Sequence, residues 1–367
     1  MISINKPFSL SHTYPLERIG KLEDILFFDI ETTGFSGDSS RLYLIGCTYF
    51  CGGRWNLVQW FADTIESETE LLHSFFSFLK NFRVLVHFNG DGFDIPYLQK
   101  RCACYGLPYD FSGVKSVDIY RRIKPYRKLL GLESLKQKAI EQFLGICRDD
   151  VCSGGELIPV YQEYLLTRDR HLYDLLILHN EDDLKGMPSI LPILSYPDFL
   201  EHPLRLVRQA VRQEQDENGE PMHFLDLSCE SDCPIPVPFR AIKNPVRCYA
   251  ENNRLSLTIE LFHGTLKHFY PNYKDYYYLP CEDTAIHKSV GEYVDKNARV
   301  KATAKTCYTK QEGCFIPQPE PIWEPVMKKE PKDKLTYADF SGISFQDPEC
   351  FRRYVTLILK YLMAKER

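Results

Sequence analysis

The stretch Ile25-Leu26-Phe27-Phe28-Asp29-Ile30-Glu31 constrains this chain more than any other. Four successive apolar residues read as a buried strand. Alternate residues of a strand face the same way, so Asp29 and Glu31 project together, roughly 6–7 Å apart along the chain. Two carboxylates rising out of a core repel each other and lose solvation. Either the strand ends in water, or something positive sits between them.

The surrounding pattern predicts the elements that would hold such a strand. Residues 25–32, 41–50 and 54–62 are apolar or aromatic runs separated by the turn-forming stretches GFSGDSS and CGGR, which predicts an antiparallel meander. In SETELLHSFFSFLKN, Leu71, Phe75 and Leu79 recur at helical spacing, and Ser67 with Glu70 forms a capping-box signature. RVLVHFN predicts a fourth strand, DIPYLQKRCACYG a helix with Pro96 in its first turn, and VKSVDIY a fifth strand. Helical segments follow to about residue 188. Antiparallel strands followed by strand–helix–strand–helices is an α/β order with a mixed sheet, the order of ribonuclease-H-like domains.

Two further acidic positions join the first pair. Asp94 falls just past the fourth strand, where it is either an N-cap or a third carboxylate aimed at the same sheet edge. His179 and Asp183 are four residues apart and share one helix face. Asp182 offers a second register, but Asp183 keeps the four-residue geometry with His179. Two divalent ions roughly 3.5–4 Å apart are a recurrent solution for phosphodiester cleavage. Mg²⁺ takes oxygen ligands and keeps several waters, so a few carboxylates suffice.

The strings FFDIETTG, FNGDGFDIPYL and HNEDD resemble, in that order, the three exonuclease motifs of the DEDD superfamily of 3′-to-5′ exonucleases. RLYLIG, SLK…E…LGICRDD…GGE and YQEYL are similar to YprB-type proteins with a ribonuclease-H-like domain. The resemblance covers residues 20 to 190. It implies Asp29, Glu31, Asp94 and Asp183 as ligands of two Mg²⁺ or Mn²⁺ ions. This chain departs from the family at His179, which stands at the spacing of the tyrosine subclass. Imidazole ordinarily titrates near pH 6.5, which suits a general base; His179 could instead only hydrogen-bond the phosphate. Asn89 and Phe93 are candidates for contacts to a terminal nucleotide, and Phe93 equally suits core packing. Asp118, ending the fifth strand, reads as a bystander acid or as a support behind the ligands.

The 367 residues suggest two domains. We expect an N-terminal extension over 1–24, the ribonuclease-H-like domain over 25–190, a connector over 191–221 and a β-rich domain over 222–367 ending in a helix from Asp347–Pro348. The formal net charge is −5. The excess lies in the first 200 residues, with 26 acidic against 21 basic; the remainder balances at 24 each. An acidic domain suits a nucleic-acid partner only if bound cations cancel some of its acids. From Ile286 to Lys310 six basic residues, Lys288, Arg299, Lys301 and Lys305 among them, meet two acidic ones. With tyrosines nearby, that mixture suits phosphates and stacked bases; the alternative is a solvated hairpin. The thirteen cysteines include no CxxC, so reduced structural thiols are expected over a zinc site at Cys229 and Cys233. No apolar run reaches about 18 residues and no signal-peptide pattern opens the chain, so a cytoplasmic protein is expected. The expectation is therefore a metal-dependent nuclease acting on DNA or RNA. Two alternatives share the fold: a catalytically idle module that binds nucleic acid or a protein partner, and a structure-specific endonuclease.

Overall fold

The computed structural model describes residues 1–10, 13–146 and 156–364. The CRDD…GGE part of the resemblance lies mostly outside them. The chain divides into two units, Met1–Arg127 with Leu132–Asp198 and Ile235–Val237, and Lys128–Gly131 with Phe199–Pro234 and Pro238–Arg367.

The first unit carries a six-stranded mixed sheet. Its strands are β1 (Ile2–Pro7), β2 (Ile25–Thr32), β3 (Leu42–Cys51), β4 (Arg54–Phe61), β5 (Val84–His87) and β6 (Lys115–Asp118), in the order β1-β4-β3-β2-β5-β6. β2, β3 and β4 form the expected meander, while β5 and β6 run parallel to β2. Ile25 to Phe28 are fully buried because β2 sits in mid-sheet with helices over it. Those helices are α1 (Glu68–Leu79), α2 (Asp94–Cys104), α3 (Ile119–Ile123), α4 (Gln137–Phe143), α5 (Leu157–Thr167) and α6 (Arg170–Ile190). Leu71, Phe75 and Leu79 of α1 enter the core as their spacing predicts. The capping box does not form. The Ser67 hydroxyl donates to Asp63 and accepts from the chain's amino terminus instead, and a 3₁₀ turn precedes α1.

Two segments are more structured than their composition suggests. Residues 2–7 of the expected extension pair antiparallel with β4 as an edge strand. The alternation Ile2, Ile4 carries that signal, diluted by polar residues on the open face. The expected connector holds α7 (Ser195–Glu201) and the eleven-residue β7 (Arg205–Gln215). Among the described residues β7 pairs only with β8 (Pro221–Glu230), through a turn at Asp216–Glu220. An edge strand with one wet face tolerates the arginines and glutamines that made this segment read as linker.

The second unit is β-rich. β8, β9 (Phe239–Lys243), β10 (Val246–Glu251), β15 (Tyr308–Gln318) and β16 (Thr336–Asp339) join β7 and the sixteen-residue β11 (Arg254–Phe269) in one sheet. β12 (Tyr276–Leu279), β13 (Thr284–His287) and β14 (Val300–Lys301) form a small separate sheet, with α8 (Lys288–Gly291) after β13. α9 (Pro348–Met363) is capped by Asp347 and buries Phe351, Val355, Ile358 and Leu362, as expected. Among the described residues all eleven cysteines are free thiols, and no helix is long and apolar enough to cross a membrane.

Candidate metal centre

The site lies where β2 outruns its parallel neighbour. Pairing with β5 stops at Phe27, and Asp29 and Glu31 continue beyond it. The loop after β5 then returns through Asn89, which has a left-handed φ of 62°, to the start of α2. Asp94 is not an N-cap; Phe93 holds that position, and Asp94 is the first helical residue. Its buried carboxyl accepts from the Ile30 backbone N–H, which ties the α2 terminus to β2 between the two acids.

Helix α6 supplies the other side. Leu176, Ile177, Asn180 and Leu184 pack inward, and His179 and Asp183 flank that stripe. The His179 Nε2 lies 3.5 Å from Asp183 Oδ2 and 3.8 Å from Glu31 Oε1. One ligand atom from each of Glu31, His179 and Asp183 falls within 4.8 Å of the others.

The electrostatics join all four acids. Burial, then repulsion from Glu31, Asp94 and Asp183, raises the Asp29 carboxyl well above the ordinary range; a hydrogen bond from Asn180 opposes this. Burial, then Asp183 and Asp94, does the same to Glu31. Asp94 is pushed up to about 7, chiefly by burial and against the backbone N–H groups it accepts from. Among the described residues no lysine or arginine pairs with Asp29, Glu31 or Asp94. Four mutually repelling carboxylates are a donor set that fits hard divalent ions.

Sequence reasoning missed the residues that hold Asp29. In the strand register Asp29 stands opposite Gly46, and Gly46 opposite Gln59. Asn180, fully buried, lies over this row: its amide Nδ2 donates to Asp29 at 3.0 Å, and its Oδ1 accepts from Gln59 at 3.0 Å. A Cβ on Gly46 would sit 1.9 Å from the Asn180 Oδ1 and 2.6 Å from Leu184. Gly46 thus lets α6 approach the sheet. Its signal was the last letter of RLYLIG, and that of Asn180 the second of HNEDD.

Asp118 is no bystander. Its buried carboxylate accepts from the backbone N–H groups of Asn89 (3.0 Å), Asp91 (3.2 Å) and Arg121 (3.1 Å). The His87 Nδ1 accepts from Gly90 N–H at 3.0 Å, and its Nε2 donates to Ser116. Burial lowers the His87 pKa, against the pull of Asp118 and Asp91, and so favours this neutral form. The loop carrying Asn89 and Phe93 is therefore pinned from below. Phe93 packs partly on the core and meets Phe35 edge to face at 6.2 Å. Phe35, on the loop after β2, is 91% exposed.

Lys288, Arg299, Lys301 and Lys305 lie in the second unit. The first three gather around Tyr277, and Lys305 lies in the exposed turn beyond. Cys229 and Cys233 join no metal-ligating cluster among the described residues.

Residues 26–194 match the family model of the RNase H superfamily. This segment is an RNase H-like domain. An 80-residue stretch of the chain is 29% identical to DNA polymerase 1 of Aeropyrum pernix, covering 20% of this chain and 8% of the polymerase. Among solved structures, the chain resembles the family B DNA polymerase of Pyrobaculum calidifontis, with a TM-score of 0.37, 12% identity, and coverage of 68% of this chain and 35% of that one. It also resembles exonuclease I of E. coli in a complex with single-stranded DNA, with a TM-score of 0.27, 15% identity, and coverage of 56% and 54%. The chain thus spans less than two thirds of each of these proteins. Within the RNase H-like domain, Asp29 and Glu31 stand in the second half of β2, the strand at which its sheet changes from antiparallel to parallel pairing.

Proposed function

We propose that the protein is a metal-dependent nuclease that removes nucleotides from the 3′ end of DNA or RNA. The observation that carries this reading is the convergence of Glu31 and Asp183 beside His179, with Asp29 and Asp94 close enough for all four carboxylates to repel one another. These four would hold two divalent ions, Mg²⁺ or Mn²⁺, which supply charge neutralisation at the scissile phosphate and a more acidic water. His179, beside Glu31 and Asp183, takes the proton of the attacking water. The water oxygen bonds to phosphorus, the P–O3′ bond breaks, and a 5′-mononucleotide leaves. Asn180 fixes the orientation of Asp29, and Asp94 is held by the Ile30 N–H. Phe35 and Phe93 offer an aromatic surface to the terminal base, with the polar Asn89 on the adjoining loop.

The test is a purified protein with 5′-labelled single- and double-stranded DNA and RNA, in Mg²⁺, in Mn²⁺ and in chelator. The expected result is a ladder shortening from the 3′ end, abolished by chelator and by Asp29→Asn. Internal cuts without end-dependent shortening would move the reading to an endonuclease. No cleavage of any substrate in either metal would reject it.

A further inference from the structure

We infer that the small sheet of the second unit is a binding platform for single-stranded nucleic acid, separate from any catalysis. β12 sits between β13 and β14. Tyr276 and Tyr278 turn to the inner face, packing on Ala285, Ala302 and Cys307. Tyr277, between them, therefore turns to the opposite face, where it is half-buried beside Gly291 of α8. Three cations converge on it. The Arg299 guanidinium lies 4.5 Å from its ring centroid and the Lys288 ammonium 5.9 Å, and Lys301 is its cross-strand partner. Arg299 also donates to the Gly291 carbonyl. That places it against α8, where a Cβ on Gly291 would meet the Tyr277 ring at 2.8 Å. Two residues further on, Tyr293 is 91% exposed.

The charges here are unspent. Lys310 is neutralised by Asp283 at 2.6 Å. Lys288, Lys296, Arg299, Lys301 and Lys305 form no ion pair with a carboxylate among the described residues. An anion is the complement, in a chain whose net charge is −5. Exposed tyrosine beside these cations narrows the anion. A phosphate chain with unpaired bases can use both the charge and a stacking face, whereas a duplex hides its base faces.

The experiment is fluorescence anisotropy of a labelled single-stranded oligodeoxynucleotide with the full chain in chelator, so that binding is read without turnover. The platform can then fail while the nuclease reading stands, and the reverse. Lys288→Glu with Lys301→Glu should weaken binding and flatten the plot of log K against log salt by about 1.4, since each contact to a single strand contributes about 0.7. Tyr293→Ala, which removes an exposed ring, should weaken binding about tenfold and leave the salt slope unchanged. Unaltered affinity and slope in the charge-reversed protein would overturn the inference. So would equal affinity for duplex and single strand with no effect of Tyr293→Ala, or uptake by phosphatidylserine vesicles without oligonucleotide binding.

Discussion

Asp94 shows what one buried carboxylate does to the protein around it. With its pKa near 7 in the folded state and near 4 when unfolded, it keeps a proton on folding that the unfolded chain has released. The folded state binds more protons across that window, so its contribution to stability is complete below about pH 4 and is lost as the pH rises through about 7. Asp29 and Glu31 have the same sign. Urea unfolding in chelator should therefore show stability falling over this range, and Asp94→Asn should flatten the fall; an unchanged slope would mean that Asp94 does not sit in this environment. Asn180 acts at the same scale. Asn180→Ala removes the amide that orients Asp29 and leaves Gln59 without its side-chain partner. Loss of such an outer-shell partner typically costs about 10- to 100-fold in metal affinity or activity, measurable by Mn²⁺ titration. An affinity equal to wild type would show that Asp29 is oriented without it.

At the scale of elements, the site depends on how strands and loops end. The alternation in β2 made Asp29 and Glu31 legible as a pair, and the four-residue spacing in α6 did the same for His179 and Asp183. The supports were not legible because they act across elements. The Asp29–Gly46–Gln59 row exists only in the strand register, and a glycine in a strand reads equally as a bulge or a weak point. Asp118 could be read either as idle or as a support, because its partners are backbone N–H groups of another loop. Asp118→Ala should remove the shared acceptor of those donors, at about 0.5–1.5 kcal/mol per hydrogen bond. Faster hydrogen exchange at Asn89 and Asp91 than in wild type is the expected readout, and unchanged exchange would return Asp118 to the role of a simple cap on α3.

At the scale of the whole molecule, the two units have unequal legibility. The first was readable because its chemistry is concentrated in three short strings. The second was readable only as alternating strands; the long β11, which pairs with β8 and β10 in its first half and β15 in its second, required the full sheet. Calorimetry should separate the units. Mn²⁺ at about 100 times its dissociation constant adds about 2.7 kcal/mol to whatever binds it. We expect two transitions, of which only one moves upward with Mn²⁺, and neither in Asp29→Asn. A single transition that moves as one would show that the units unfold together. The order of assembly also matters. Every strand of the first sheet is complete by Asp118, while Asn180 and Asp183 come from a helix made some sixty residues later. As the chain leaves the ribosome, the sheet can close before its last carboxylate arrives. Docking of α6 is then the step that confines the mutual repulsion. In metal-poor surroundings at neutral pH, that docking becomes the late and reversible event in the life of the nascent chain.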